Sequence, residues 1–259
     1  LYVMKDQDYM SRLLARAKEA KCSALVITLD LQVLGQRHKD IKNGLSAPPK
    51  LTPKTLLNLL TKWRWSMEML GTKRKNFGNV VGHAEGVSDT TSLSSWIAEQ
   101  FDPKLDWNKI KALREQWDGK VILKGILDAE DAKLAVNVGA DAIIVSNHGG
   151  RQLDGAQSSI RALPPIIDAV GDKIEVHVDG GIRSGQDVLK ALALGAKGTY
   201  IGRSYIYGLG AMGQKGVRLS LEIIQKELET TMALCGHRSL DQLSRDTLMI
   251  PADFRGDWA

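Results

Sequence analysis

Cysteine is scarce: Cys22 and Cys235 are the two thiols in 259 residues. A disulfide-stapled secreted scaffold is therefore excluded, and a reducing, cytoplasmic setting is expected. Both thiols are expected to be buried filler rather than nucleophiles. Long apolar runs are missing as well. Nothing approaches the roughly 18 consecutive residues of a membrane span. Metal-ligand spacing is absent too: His38, His83, His177 and His237 have no partners at such spacing, and no metal role is assigned to them. An evenly spread basic surface is also lacking. The formal charge is +5, but Ala47 to Val80 alone carries Lys50, Lys54, Lys62, Arg64, Lys73, Arg74 and Lys75 against Glu68. The excess belongs to one segment, so a nucleic-acid partner is not expected. No secretory leader pattern is legible. The chain opens on Leu1 rather than methionine, which raises the expectation of an upstream portion.

What is present is enough for a large core: 43% of residues are apolar, with 25 Gly and 7 Pro. Leu1 to Met4 reads as the tail of a strand. Asp6 to Ala20 reads as a helix capped by Asp6, with Met10, Leu13, Leu14 and Ala17 on one face. Ser23 to Leu29 is continuously apolar, as suits a parallel strand covered on both sides, and it ends in Asp30. From about 31 to 106 the pattern is irregular and basic, far longer than an ordinary βα loop of about 2–6 residues. Such a length suits a lid, a binding loop or a contact surface. Within it, Ala47-Pro48-Pro49 breaks structure and Thr52-Pro53 opens a helix through Leu60.

Regular alternation then resumes. Helices are predicted over Trp107 to Trp117, Asp128 to Val138, Ser158 to Val170, Ser184 to Leu194 and Gly213 to Leu234, with Pro164 and Pro165 disturbing the third. Strands are predicted over Lys120 to Leu123, Ala142 to Val145, Ile174 to Val178 and Gly198 to Ile201. The motif Gly-Ala before a strand recurs at Gly139 and Gly195, 56 residues apart. Repeated strand–helix units argue for parallel strands with right-handed crossovers.

Parallel strands gather their C-terminal ends at one rim, where barrel enzymes place their chemistry. Collected there are Asp30, Lys124, His148, Asp179 and Arg203, with Arg151 and Arg183 just beyond. The stretch Ser146-Asn147-His148-Gly149-Gly150-Arg151-Gln152-Leu153-Asp154-Gly155 joins a base that titrates near neutral pH to a cation with a planar fork. That pair suits deprotonating a molecule that carries a carboxylate or phosphate. The bland alternative is a polar turn whose histidine caps a helix. Asp179-Gly180-Gly181-Ile182-Arg183 and Gly202-Arg203-Ser204 each offer glycines, an arginine and a following helix N-terminus, as a phosphate site would. Lys124 reads three ways: a Schiff-base lysine, a cation neutralising developing charge, or a structural ion-pair partner. Asp30 either orients His148 or caps the following turn.

The stretch from Ser146 to Asp154 resembles the active-site signature of the FMN-dependent α-hydroxy-acid dehydrogenases and oxidases. Thr28-Leu29-Asp30, Leu123-Lys124-Gly125, Asp179 to Arg183 and Ile201-Gly202-Arg203 match in the family's order, and Lys42 to Ser46 is most similar to the bacterial L-lactate dehydrogenase-like branch. The resemblance implies an α/β fold, a (β/α)8 TIM barrel of the FMN-linked type, forming one domain over 1–259 with the insertion at about 31–106. It implies FMN as cofactor, oxidation of an L-2-hydroxy acid such as L-lactate to the 2-oxo acid, and a homotetramer. It implies that His148 is the base, Asp30 supports its imidazolium, and Arg151 holds the substrate carboxylate, assisted by Tyr2 and Arg37. Lys124 would lie at the flavin N1/O2 edge, Thr28 and Ser146 against the isoalloxazine, and Asp179, Gly181, Arg183, Gly202 and Arg203 around the ribityl phosphate. His148 would serve a hydride or a carbanion route equally. Oxygen, a quinone or a cytochrome would each serve as electron acceptor.

The family barrel has eight strands, whereas five full strands and the Leu1–Val3 stub are legible here. The chain is therefore expected to hold the C-terminal five or so βα units, to bind FMN weakly alone and to turn over poorly. Two other readings stay open. One is a lysine-dependent aldolase or other phosphate-binding barrel enzyme using Lys124. The other is an inactive fragment whose basic, tryptophan-bearing segment, 47–80, docks on a partner or on the inner face of the cell membrane.

Overall fold

The computed structural model describes residues 1–33, 35–44, 52–72, 77–84, 87, 96 and 99–255. The expectations placed on Ala47-Pro48-Pro49, Leu45-Ser46, Lys50 and Lys73 to Lys75 lie outside these residues. The chain divides into two compact units. The first comprises Leu1–Tyr2, Ser23–Leu31 and Lys104–Ala259; the second comprises Val3–Cys22 and Gln32–Pro103.

The first unit is an α/β layer. Five parallel strands, β1 (Ala24–Thr28), β2 (Lys120–Ile126), β3 (Ala142–Val145), β4 (Glu175–Val178) and β5 (Gly198–Thr199), lie side by side in chain order. Leu1 and Tyr2 add a stub on the free side of β1: the Thr28 N–H donates to the Leu1 carbonyl, and Tyr2 bridges Thr28 in parallel. In chain order the helices of this unit are Trp107–Glu115, Ala129–Asn137, Ser159–Val170, Gly185–Ala193, Arg203–Met212 and Gln214–Leu234.

The two faces of the sheet differ. Ile27, Leu123, Ile143, Val145, Val176 and Val178 are all at most 1% exposed. Ala132, Ala135, Ala162, Leu163, Ile166 and Val170 from the helices are sealed as fully. Burying one such Val, Leu or Ile side chain contributes about 1.5–3 kcal/mol, so this layer holds the unit together. The register puts Thr28, Lys124, Ile144 and His177 in one row on the opposite face. There Val26, Ile122, Lys124 and His177 remain half-buried.

Local chemistry starts the helices where expected. The Asp106 carboxylate accepts the Lys109 N–H, and Asp128 accepts those of Glu130 and Asp131. Ser184 and Asp187 form a reciprocal capping box. Asp141, between Gly139 and β3, accepts from Lys120 Nζ at 2.7 Å and from the Val121 N–H at 2.9 Å, tying β2 to β3. Burial alone would raise its pKa, but the Lys120 and Val121 hydrogen bonds and the Lys120 and Arg114 charges together lower it.

Five points depart from expectation. Lys120–Ile126 runs past Lys124, with a register shift between Lys124 and Ile126, so Lys124 and Gly125 lie inside the strand. The last strand is two residues rather than four. Ser159–Val170 continues through Pro164 and Pro165, its face sealed by Ala162, Leu163 and Ile166. Arg203–Met212 forms a helix that periodicity did not mark. Both cysteines are exposed rather than buried: Cys22 follows the end of a helix, and Cys235 caps Gln214–Leu234.

In the second unit, Gln7–Glu19 is a helix capped by Asp6, which accepts the Tyr9 N–H. It buries Tyr9, Met10 and Leu14, and Tyr9 meets Trp96 edge-on at 5.0 Å. His38–Lys42 is a short helix. Pro53–Thr61, capped by Thr52, and Trp63–Gly71 form a helical pair that buries none of its residues.

Candidate active site

Each strand of the first unit delivers one group to its C-terminal rim. The His148 Nδ1 lies 2.9 Å from Asp30 Oδ1. An imidazole held through Nδ1 presents Nε2 as its acceptor when neutral. Asp30 Oδ2 is buried with no hydrogen-bond partner among the described residues. Space for that carboxylate comes from Gly125 at the irregularity in β2. A Cβ there would stand 2.8 Å from Asp30 Cγ and 2.9 Å from its Cβ, and Gly125 has φ +103°. Glycine tolerates that backbone angle and lacks the atom that would collide.

His148 has a backbone strain of its own. Its φ is +56°, in the left-handed region, which costs a non-glycine residue about 1–2 kcal/mol. Three hydrogen bonds hold the turn: Ser146 Oγ accepts the His148 N–H, Asn147 Oδ1 accepts the Gly149 N–H, and the Asn147 carbonyl accepts the Gly150 N–H. Buried Ser159 in turn accepts the Asn147 N–H through Oγ. Strain held in place by several partners is common at reactive positions.

Beside this pair lies a second. Lys124 Nζ donates to Ser146 Oγ at 3.0 Å and lies 3.4 Å from Asp179 Oδ2. Ser146 therefore touches both the lysine and the histidine backbone. Asp179 Oδ1 is buried with no partner among the described residues. A carboxylate oxygen left unpaired costs about 1–3 kcal/mol, so a hydroxyl-bearing ligand gains by supplying the donor.

The two glycine–arginine loops differ, contrary to the symmetric expectation. After β4, the Arg183 and Ser184 N–H groups both donate to Asp187 Oδ2, and the Gly185 N–H donates to Glu227 Oε2 at 2.9 Å. That helix end has spent these donors on carboxylates. After β5, Arg203–Met212 starts on Gly202 with no side-chain cap. Its first N–H groups point out of a ten-residue helix beside the Arg203 guanidinium, which suits an anion. Ser204 Oγ donates to the Ile182 carbonyl and so ties the two loops together.

Of the remaining sequence-predicted residues, Thr28 is buried at the end of β1 and Tyr2 is exposed beside it. Arg151 follows the His148–Gly150 turn and is exposed, as is Arg183. Gly181 and Gly202 have open space where a Cβ would be. Arg37 belongs to the second unit, just before His38–Lys42. Sequence reasoning assigned no role to Gly125, Asn147 or Ser159. The signal for Gly125 was its place directly after a strand-end lysine; Ser159, thirteen residues beyond Ser146, carried none.

The donor set fits a flavin mononucleotide. An uncapped helix N-terminus with an arginine suits its phosphate, the unpaired Asp179 oxygen suits a ribityl hydroxyl, and Lys124 suits an electron-rich ring edge. Comparison with known proteins agrees. Residues 1–250 match the family described as FMN-dependent dehydrogenase. L-lactate dehydrogenase of Caulobacter sp. (strain K31) is 45% identical over 252 residues, which is 96% of this chain and 65% of that protein. L-lactate dehydrogenase of Pseudomonas aeruginosa (strain LESB58) is 43% identical over 251 residues, again 96% and 65%. Among solved structures, the monotopic membrane protein (S)-mandelate dehydrogenase matches with TM-score 0.89 at 33% identity, covering 96% of this chain and 65% of that one. A mandelate oxidase matches with TM-score 0.73 at 39% identity, covering 95% and 61%. The chain thus spans 65% of the length of these L-lactate dehydrogenases.

Proposed function

Because the chain belongs to the FMN-dependent dehydrogenase family, we propose that it oxidises an L-2-hydroxy acid, L-lactate foremost, to the 2-oxo acid. The observation that carries this reading is the Asp30–His148 pair set beside Lys124 on one rim. When bound, FMN supplies the two-electron acceptor. His148 Nε2 takes the proton that the substrate releases, and Asp30 stabilises the imidazolium that results. Arg151 holds the substrate carboxylate, with Tyr2 assisting. Thr28 and Ser146 position the ring, and Lys124 balances negative charge that develops at its edge. Asp179 takes a ribityl hydroxyl. Gly181, Gly202, Arg183 and Arg203 line the phosphate site.

The test is anaerobic. At saturating FMN, L-lactate should bleach the flavin absorption of the protein, whereas D-lactate should not. Bleaching by neither would remove 2-hydroxy acids from the account.

A contact with the membrane surface is favoured by the second unit. Among the described residues no helix is long and apolar enough to cross a membrane. Yet Pro53–Thr61 and Trp63–Gly71 expose Leu57, Leu60, Trp63, Met67 and Leu70 by 62–77%. Lys54, Lys62 and Arg64 accompany them against Glu68 alone. Tryptophan with lysine and arginine around an apolar helical surface suits an anionic lipid interface. The protein should sediment with vesicles containing anionic lipid and not with zwitterionic ones. Leu60→Ser with Leu70→Ser should abolish this, and unchanged sedimentation of that variant would place the contact elsewhere.

A further inference from the structure

The phosphate end and the base loop are joined by one side chain. Arg203, first residue of Arg203–Met212, sends Nη2 back to the carbonyl of Gly149 at 2.9 Å. Gly149 is the residue after His148, within the turn where His148, Gly149 and Gly150 all have positive φ. A Cβ on Gly149 would stand 2.9 Å from that same Nη2. Any side chain at 149 would therefore push the guanidinium off, besides being strained at φ +67°. The glycine makes a seat for the arginine.

We propose that Arg203 is a positioning residue for the His148 loop, linking occupancy of the phosphate site to the order of the segment that carries the base. This rests on the flavin reading above and extends it. A guanidinium has five N–H donors in a rigid plane, so one can hold the Gly149 carbonyl while others face an anion. An anion at the start of Arg203–Met212 fixes the guanidinium, and the fixed guanidinium holds Gly149. Linkage is reciprocal: a loop ordered by Arg203 also holds the anion more tightly than a loose one. In a merely local role, the Arg203–Gly149 contact would not respond to an anion.

Amide hydrogen exchange in the whole chain reads this without turnover. In the ligand-free protein, Arg203→Met should speed exchange at Gly149 and Gly150 about fivefold, the size of one ordinary hydrogen bond. Exchange in Ala142–Val145 and Gly185–Ala193 should not change. Adding FMN to the wild type should slow Gly149 and Gly150, whereas riboflavin, which lacks the phosphate, should not. Unchanged loop exchange in R203M while FMN still binds would overturn the bridge and leave the flavin reading intact. Equal slowing by FMN and riboflavin would also overturn it. FMN that perturbs no amide anywhere in the chain would sink the flavin reading and the linkage together. Should R203M lose protection throughout the sheet, the wild-type comparison of FMN with riboflavin decides alone.

Discussion

His148→Gln is expected to slow reduction of bound flavin by L-lactate by about 10³- to 10⁴-fold, the upper part of the range for a positioned general base. Glutamine keeps much of the volume and a hydrogen-bonding tip, so the Asp30 contact has a replacement. What it lacks is a group that takes a proton at neutral pH. The rate loss should therefore appear in the chemical step, with FMN affinity little altered, because the substitution leaves Arg203 and the Gly149 carbonyl that it holds in place. Stopped-flow absorbance under anaerobic conditions separates the two. A variant that reduces flavin as fast as the wild type in a single turnover would take the proton away from His148. Asp30 would then be holding a structural histidine.

The second large effect concerns a residue with no side chain. Gly125→Ala should destabilise the protein by about 2–5 kcal/mol, since it adds left-handed strain of about 1–2 kcal/mol to overpacking of about 1–3 kcal/mol. The added methyl would sit 2.8 Å from Asp30 Cγ, so the carboxylate must move. Its 2.9 Å contact with His148 moves with it. A displacement of about 1 Å in a reacting group costs about 10²-fold in rate, and that is the expected loss of flavin reduction. Thermal unfolding and single-turnover reduction should both report the change. A G125A protein with unaltered melting and unaltered reduction would mean that the carboxylate has room the geometry denies it.

Much of this was legible because it is local. Asp6, Thr52, Asp106 and Asp128 announce helices through hydrogen bonds spanning two or three residues, and all four caps are made. Continuous apolarity marked β1 and β3 because parallel strands repeat little else. The convergence of Asp30, Lys124 and His148 followed from strand direction alone. What was not legible depends on contacts across the chain. Glu227 lies 42 residues beyond Gly185, and nothing near Gly185 says that its N–H is taken. Arg203–Met212 escaped notice because it buries none of its residues and carries Gly208 and Gly210, so no periodic stripe marks it. Gly208 is there for packing: a Cβ on it would stand 2.4 Å from the Gly216 carbonyl oxygen. The irregularity in β2 was hidden because a shift of pairing has no composition.

The unlike sides of the five-stranded layer divide the consequences of mutation between them. Trimming Leu123 or Ile143 should be read by a calorimeter, since those side chains exist to exclude water. Altering Lys124, one position along on the opposite face, should be read by a spectrophotometer. Groups that exclude water and groups that face the site thus alternate along one and the same strand.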